Sequence, residues 1–539
     1  MASRDQQLRG ERGDKKKQFT DAEKIIVPAL YITSEDVLGQ SAKAKMENIP
    51  LSTSTVERRS RLLSEDLLDQ VVKKLRTSPC FGVSRNGRCM IADDMGLGKT
   101  IQALGVAVYY RTEWPLLVVT PSSVRYSWVN AIERWVPSVS REDITVIGSG
   151  QDTLSDAQVV IITYDLLVRK LKEVMNSRFQ VVIMDESHML KNFKTARYKA
   201  AAPVVKQAKR VLMLTGTPAL SRPSELYTQI AGLCPGLFPS FQKFGVRYCN
   251  GQQLPWGWNF SGSSNLQELQ IMLRNIMIRR LKVQVLDQLP SKLRMMVTLD
   301  PTSIENGTKS LADAAKKFNL KSINGLEKQG ALFAFFNETA QAKLKAVSVY
   351  IKELLESDKK FLVFAHHQIM LDKLSNTCDL ANVRHIRIEG KTRPEMRPKL
   401  VKRFQEDSTV RVAVLSITAT NTGLTLTSAN LVIFAELFWN PGDLVQAEDR
   451  AHRIGQQDCV MVQYLVARGT ADDYLWPMIQ SKMAVLNKVG LSKDDFSNAS
   501  STYQKRTGED SIVKYFNNLK TDDISEDSTD EPKAKRQKT

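Results

Sequence analysis

The run CMIA (89–92), the loop DDMGLGKT (93–100) and the segment IQALGVAVYY (101–110) follow one another without a break. An apolar strand, a glycine-bearing loop and a helix in that order form a phosphate cradle. Asp94, Met95, Gly96, Leu97 and Gly98 make the loop, and its glycines let backbone amides face a phosphate. The helix N-terminus adds positive dipole, Lys99 reaches the terminal phosphates, and Thr100 offers its hydroxyl to magnesium. The strict G-x-x-x-x-G-K-T pattern has glycine where this chain has Asp93, so an ordinary glycine-rich turn is the competing reading.

Outward from that stretch the same texture repeats. PLLVVT (115–120), VVIIT (159–163), VVIMD (181–185) and VLML (211–214) are short apolar runs separated by segments of helical period. After a lapse over 220–345 it resumes with FLVFA (361–365), HIRI (385–388), VAVLS (412–416), LVIFA (431–435) and VMVQYLV (460–466). Strands apolar on both faces and alternating with helices predict parallel sheets covered on both sides. The expected fold is therefore α/β: two parallel-sheet lobes joined by a mostly helical insert, with a helical N-terminal segment and a polar, disordered C-terminal tail. The divisions fall at 1–80, 81–235 (first lobe), 236–345 (insert and linker), 346–495 (second lobe) and 496–539 (tail).

Asp185 and Glu186 end the run VVIMD and are followed by Ser187 and His188. A carboxylate at a strand tip can hold magnesium, and its neighbour can orient or deprotonate a water. A helix N-cap is the alternative. Near the other end, Asp443 is placed to cap a helix, with Gln446, Arg450 and Arg453 at i, i+4 and i+7 on one face. That face fits a solvated surface, or arginine fingers closing on a γ-phosphate from the second lobe. Pro121 and Ser122, Thr163 and Tyr164, Thr215, Gly216 and Thr217, and Ser416 and Thr418 all follow strands at the lobe edges. Small hydroxyl residues and loop amides there suit contact with a phosphate backbone, and each alone reads as a plain turn.

The 539 residues include 76 Lys and Arg against 58 Asp and Glu, a formal charge of +18. That balance points to a polyanion, nucleic acid ahead of an acidic membrane, or to a basic surface with no specific partner. No apolar run reaches the roughly 20 residues of a membrane span, and the charged N-terminus has no signal-peptide core. The six cysteines show no C-x-x-C, so a disulfide framework or structural zinc is not expected and a reduced, intracellular compartment is. Lys535, Arg536 and Lys538 in a polar tail fit nuclear import, with a merely soluble tail as the alternative.

Taken in order, GKT, DESH, LTGTP, IRRLK, FLVFAHH, IEGKT, SITATNTGLTLTSAN and QAEDRAHRIGQ resemble the motif series of superfamily-two helicases, specifically Swi/Snf-type DNA translocases. DESH, LTGTPALSRPSELYTQI, PWGWNFSGSSNL and FAELFWNPGDLVQAEDRAHRIGQ resemble its annealing-helicase, HepA-related (HARP) branch, from about Phe81 to about Ser497. The resemblance implies two RecA-like lobes with ATP and Mg²⁺ between them and duplex DNA across their upper edge. It further implies that Lys99 and Thr100 bind phosphates and metal, that Asp185 holds the metal and that Glu186 activates water. Gln446, Arg450 and Arg453 would meet the nucleotide, and His188 and Thr215 to Thr217 would couple hydrolysis to movement. The implied activity is remodelling of branched DNA at stalled replication forks, in the nucleus. A nucleosome-remodelling ATPase and a DNA-binding protein with an impaired ATPase are the alternatives.

The chain departs from the family in two places. The F-Q-x-x-G segment that holds adenine in the family has no counterpart in KLRTSPCFGVSRNGRC (74–89). Upstream, no HARP repeat and no helix for docking single-strand-binding protein is evident. Residues 20–80, with a helix expected over Thr53 to Leu75, instead weakly resemble hAT-type transposase-derived proteins.

Overall fold

The computed structural model describes residues 81–503 apart from 155–156, 256, 283–288, 305–308, 321–324, 358, 394, 419–423, 454–455, 495 and 498. The expectations for the N-terminal helix, the transposase-like stretch and the basic end of the tail lie outside the described residues. In chain order the strands are β1 (Arg88–Ile91), β2 (Leu116–Thr120), β3 (Ile144–Val146), β4 (Val159–Thr163), β5 (Val181–Asp185) and β6 (Arg210–Leu214). Then come β7 (Gln252–Leu254), β8 (Gly257–Asn259), β9 (Met277–Ile278), β10 (Lys292–Thr298), β11 (Phe361–Ala365) and β12 (Arg384–Ile388). The last are β13 (Val410–Ser416), β14 (Leu431–Phe434), β15 (Val460–Val466) and β16 (Ser500–Tyr503).

Two seven-stranded sheets result, in the orders β3-β4-β2-β5-β6-β1-β9 and β12-β13-β11-β14-β15-β10-β16, with β7 and β8 a separate antiparallel hairpin. Every pairing within the two large sheets is parallel. The α/β reading holds, for the reason the sequence suggested. In β2 every residue is buried; Leu117 and Val119 enter one hydrophobic core, Leu116 and Val118 the other. A strand covered on both faces has no place for polar alternation. The first of these cores runs on into the second lobe, so the lobes share apolar contact.

The stretch expected as a helical insert also supplies strand to both sheets: β9 pairs with β1, and β10 lies between β15 and β16. Among the described residues no helix is long and apolar enough to cross a membrane.

Candidate active site

The phosphate-loop candidate joins β1 to the helix Lys99–Tyr109. Gly96 (φ 89°) and Gly98 (φ 72°) take left-handed conformations that a side chain resists, and no side chain caps the helix. Its first amides are therefore not satisfied by a capping side chain. Lys99 Nζ donates to the carbonyls of Asp93 (2.9 Å) and Asp94 (3.2 Å). Burial lowers its pKa, against the charges of Glu186, Asp93, Asp94 and Asp185. Met95 packs beside Gly216, where an added Cβ would come within 3.0 Å of its Cγ, and Leu97 O accepts from Gln102. For Thr100 the structure gives its place in the first helical turn.

At the tip of β5 the Asp185 carboxylate accepts from Trp128 Nε1 (2.8 Å), Thr120 Oγ1 (3.1 Å) and the Glu186 amide (3.0 Å). Tyr164 holds the same residue from behind, its hydroxyl donating to the Asp185 carbonyl at 2.7 Å. Burial, then the adjacent Glu186 charge, pushes Asp185 up to about 6, opposed by Trp128, Thr120 and Lys99. Burial would also raise Glu186, but the hydrogen bond and charge of His188, with Lys99 and Arg450, outweigh it and hold Glu186 below its ordinary value. The two carboxylates are thus pushed apart in affinity for a proton.

From Glu186 a line of polar contacts crosses to the second lobe. His188 Nδ1 lies 3.2 Å from Glu186 Oε2 and 3.0 Å from Thr215 Oγ1. Thr215 Oγ1 accepts from the Thr217 amide (3.1 Å), and Thr217 Oγ1 accepts from Gln446 Nε2. Nearby, Gly442 N donates to Leu220 O at 3.1 Å; a Cβ on Gly442 would lie 2.9 Å from the Leu220 Cα. The lobes touch backbone to backbone there.

Gln446 sits in the helix Pro441–Glu448, but the expected continuous face does not persist. Asn440, not Asp443, is the cap residue, with its side-chain amide donating to Asp443 Oδ2 at 2.9 Å. The helix stops before Arg450. The Arg450 and Ala451 amides bond three residues back, and the Glu448 carboxylate is held by Lys292, Arg294 and Tyr464. That tightening carries Arg450 and Arg453 to the lobe interface all the same. Arg453 lies across Gly96, where an added Cβ would stand 3.2 Å from its Cγ and Nε, and it donates to Thr425 Oγ1 at 2.7 Å. Arg450 is 2% exposed; among the described residues its one side-chain hydrogen bond is a long 3.4 Å to Leu424 O, while Nε and Nη2 have no partner. Burial, then Arg453, lowers its pKa to about 10, opposed by Glu186 and Asp449.

This arrangement fits a nucleoside triphosphate with magnesium. Two buried guanidinium nitrogens lack acceptors, the helix N-terminus lacks a side-chain cap, and a carboxylate pair stands beside a lysine.

The residues expected along the DNA edge divide. Ser122 and Thr418 are exposed and Pro121 half-buried. Thr163 spends its hydroxyl capping the helix Tyr164–Arg169, and Tyr164 is buried against Asp185. His188, Thr215 and Gly216 are interior, and Ser416 is buried with its hydroxyl on Thr418 (3.1 Å). For Tyr164 the placement fits support of the carboxylate strand rather than a strand-edge contact. Thr120, Trp128, Arg279, Arg280 and Lys282 are site residues that sequence reasoning missed, although IRRLK stood out as a motif.

Fold and site together define a protein of two RecA-like lobes with a phosphate-binding cleft between them. The sequence matches the SNF2-related domain over residues 13–339 and the helicase conserved C-terminal domain over 342–455, and the chain belongs to the SNF2-related family. That first match also takes in the whole stretch, 20–80, compared above with transposase-derived proteins.

Among curated relatives, the Xenopus tropicalis SWI/SNF-related matrix-associated actin-dependent regulator of chromatin subfamily A-like protein 1 is 53% identical over 457 residues, covering 84% of this chain and 48% of that protein. The Homo sapiens DNA annealing helicase and endonuclease ZRANB3 is 44% identical over 444 residues, covering 78% of this chain and 41% of that protein. A solved Sulfolobus solfataricus SWI2/SNF2 ATPase core in complex with dsDNA is 25% identical with a TM-score of 0.36, covering 79% of this chain and 92% of that one. The chain spans about half the length of the curated relatives it matches.

Proposed function

We propose that this chain is a DNA-dependent ATPase that translocates on DNA and anneals or remodels branched DNA at stalled replication forks. The observation that carries the reading is the meeting of Lys99, Asp185 and Glu186 with Arg450 and Arg453 across the lobe interface, with two Arg450 nitrogens buried and unpartnered. In this reading Lys99 and the helix amides hold the phosphates, and Thr100 and Asp185 hold magnesium. Bound magnesium would neutralise charge on the phosphate oxygens. Glu186, kept ionised by His188, takes the proton of the attacking water. Arg450 and Arg453 meet charge developing on the terminal phosphate, and Gln446 reports it to Thr217. Pro121, Ser122 and Thr418 face the DNA backbone, with buried Ser416 supporting Thr418 from beneath. The relatives named as annealing helicases support this substrate class, and a nuclear location goes with this reading.

The test is ATP turnover by the purified chain with fork DNA, linear duplex and nucleosomes, alongside closure of a melted bubble. Stimulation by fork DNA with bubble closure is expected. Stimulation by nucleosomes alone would make the chain a nucleosome remodeller, and DNA binding without turnover would make it an impaired ATPase. For localisation, deleting 532–539 is expected to reduce nuclear accumulation; an unchanged distribution removes those basic residues as the main signal.

A further inference from the structure

Asp93 stands where the phosphate-loop pattern has its first glycine, and none of it is exposed. A fully buried carboxylate persists only when paired and hydrogen-bonded. The partner comes from 187 residues further along the chain: Arg280 reaches Asp93 Oδ2 through Nη2 (2.5 Å) and Nε (3.1 Å), and its backbone N–H donates to Oδ1 (2.9 Å). Gln102 closes the group, donating to Asp93 Oδ2 (3.0 Å) and accepting from Arg280 Nη2 (2.7 Å).

Asp94 is held the same way. Arg279 Nη2 donates to its Oδ1 (3.1 Å), and the Lys282 backbone N–H donates to its Oδ2 (3.0 Å). The Lys282 side chain runs in the other direction. Its Nζ lies 2.9 Å from Asp449 Oδ2 and donates to His452 O at 2.6 Å. Asp449 immediately precedes Arg450, and His452 immediately precedes Arg453. Arg279, Arg280 and Lys282 thus grip the phosphate loop at one end and the two arginines' own segment at the other.

We propose that residues 279–282 form a positioning strut, in which Arg280 anchors the loop through Asp93 and Lys282 sets the distance from that loop to Arg450 and Arg453. Asp93 is then an anchor for the linker and not a phosphate ligand, and its departure from glycine is what ties linker to loop. The proposal rests on the ATP-site reading given above. It goes beyond that reading by assigning work to linker residues that the reading leaves without a role.

The test uses the full chain. Lys282→Met removes the ammonium while keeping the apolar stem and the backbone N–H to Asp94. Turnover number with fork DNA is expected to fall on the order of 10- to 100-fold, as for a small misplacement of catalytic groups, with KM for ATP little changed and Lys282→Arg recovering part of the loss. Without nucleotide, amide hydrogen exchange should quicken at 93–98 and 449–453 together while 116–120 stays slow. Unchanged exchange in both segments overturns the strut whatever turnover does. An unsubstituted chain that never hydrolyses ATP overturns the functional reading and leaves exchange to decide the strut. Asp93→Gly, which restores the pattern's glycine, should quicken exchange over 278–282 and lower turnover. A gain in activity, or unchanged exchange, would also overturn the proposal.

Discussion

The two lobes contribute opposite kinds of surface to the site between them. On the first lobe Asp185 takes three hydrogen bonds, Asp93 is paired with Arg280 and Gln102, and Lys99 rests on two carbonyls. On the second, among the described residues, the Arg450 side chain has one long hydrogen bond and two bare nitrogens, and Gln446 Oε1 is also unpartnered. A satisfied group is pre-organised and gains little from a new partner. A buried unsatisfied one has been stripped of water and gains most when an acceptor arrives. In the proposed reading the paired Asp93 and the three-times-bonded Asp185 are pre-formed, while Arg450 and Gln446 on the second lobe, with Glu186 Oε2 on the first, hold affinity in reserve.

That contrast breaks most visibly in turnover. Lys99→Ala, Glu186→Gln and Arg453→Ala are each expected to remove most DNA-stimulated hydrolysis, since one arginine finger is worth roughly 10³ to 10⁵ in rate. The arginine variants should do so without weakening DNA binding. Full DNA-stimulated activity in Arg453→Ala would remove it from the site.

Stability should separate the paired Asp93 from the unpaired Arg450 in sign. Asp93→Asn leaves Arg280 without its counter-charge, a loss of about 3 to 5 kcal/mol for a broken buried pair. Arg450→Met removes an unsatisfied buried cation and is expected to stabilise by about 1 to 3 kcal/mol while abolishing turnover. Thermal melting of the two variants side by side decides it. If both lower Tm, Arg450 is better satisfied than its contacts indicate.

Asp185 sharpens the comparison from within the first lobe. Its pKa is raised to about 6, above the ordinary carboxyl value, so the folded chain binds this proton more tightly than the unfolded chain does. Ionised Asp185 therefore destabilises the fold above about pH 6, and the penalty fades as pH falls toward the ordinary carboxyl range. Asp185→Asn should raise Tm at pH 7.5, with the difference shrinking toward pH 4.5. A difference that does not change with pH would mean that hydrogen bonding, not desolvation, governs this carboxylate.

Much of this is legible in the amino-acid sequence. VVIIT, VVIMD, FLVFA and VMVQYLV are strands with no polar face to confuse their reading. β10, KLRMMVT, was not legible, because Lys292 and Arg294 make it look like surface. Their charges are met by Glu448 and Asp494, about 150 to 200 residues away in sequence. The same limit applies to the site. Groups that would touch triphosphate follow local spacing, as GKT and DESH do. Groups that hold those groups in place, such as Trp128 beneath Asp185 or Arg280 on Asp93, are brought in by the tertiary fold and leave little local trace.

The smallest effect concerns the base rather than the phosphates. In the family the F-Q-x-x-G segment reads the edge of adenine, and residues 74–89 contain no such glutamine. In the proposed reading Lys99, Asp185, Arg450 and Arg453 meet triphosphate and magnesium, features that ATP and GTP share. Losing a base contact therefore removes discrimination and leaves the chemistry. Each hydrogen bond to an uncharged base edge is worth on the order of 0.5 to 1.5 kcal/mol, about two- to tenfold in affinity. The expected phenotype is a raised KM for ATP and a flattened preference for ATP over GTP, with turnover numbers for the two close together. The comparison is with a version in which residues 70–82 are replaced by a family-like F-Q-x-x-G segment, which should regain ATP preference by that same factor. A strong ATP preference in the unmodified chain would mean that another residue holds the adenine. Loss of hydrolysis in both versions would place the fault in the triphosphate contacts, where the arginine variants above provide the independent check.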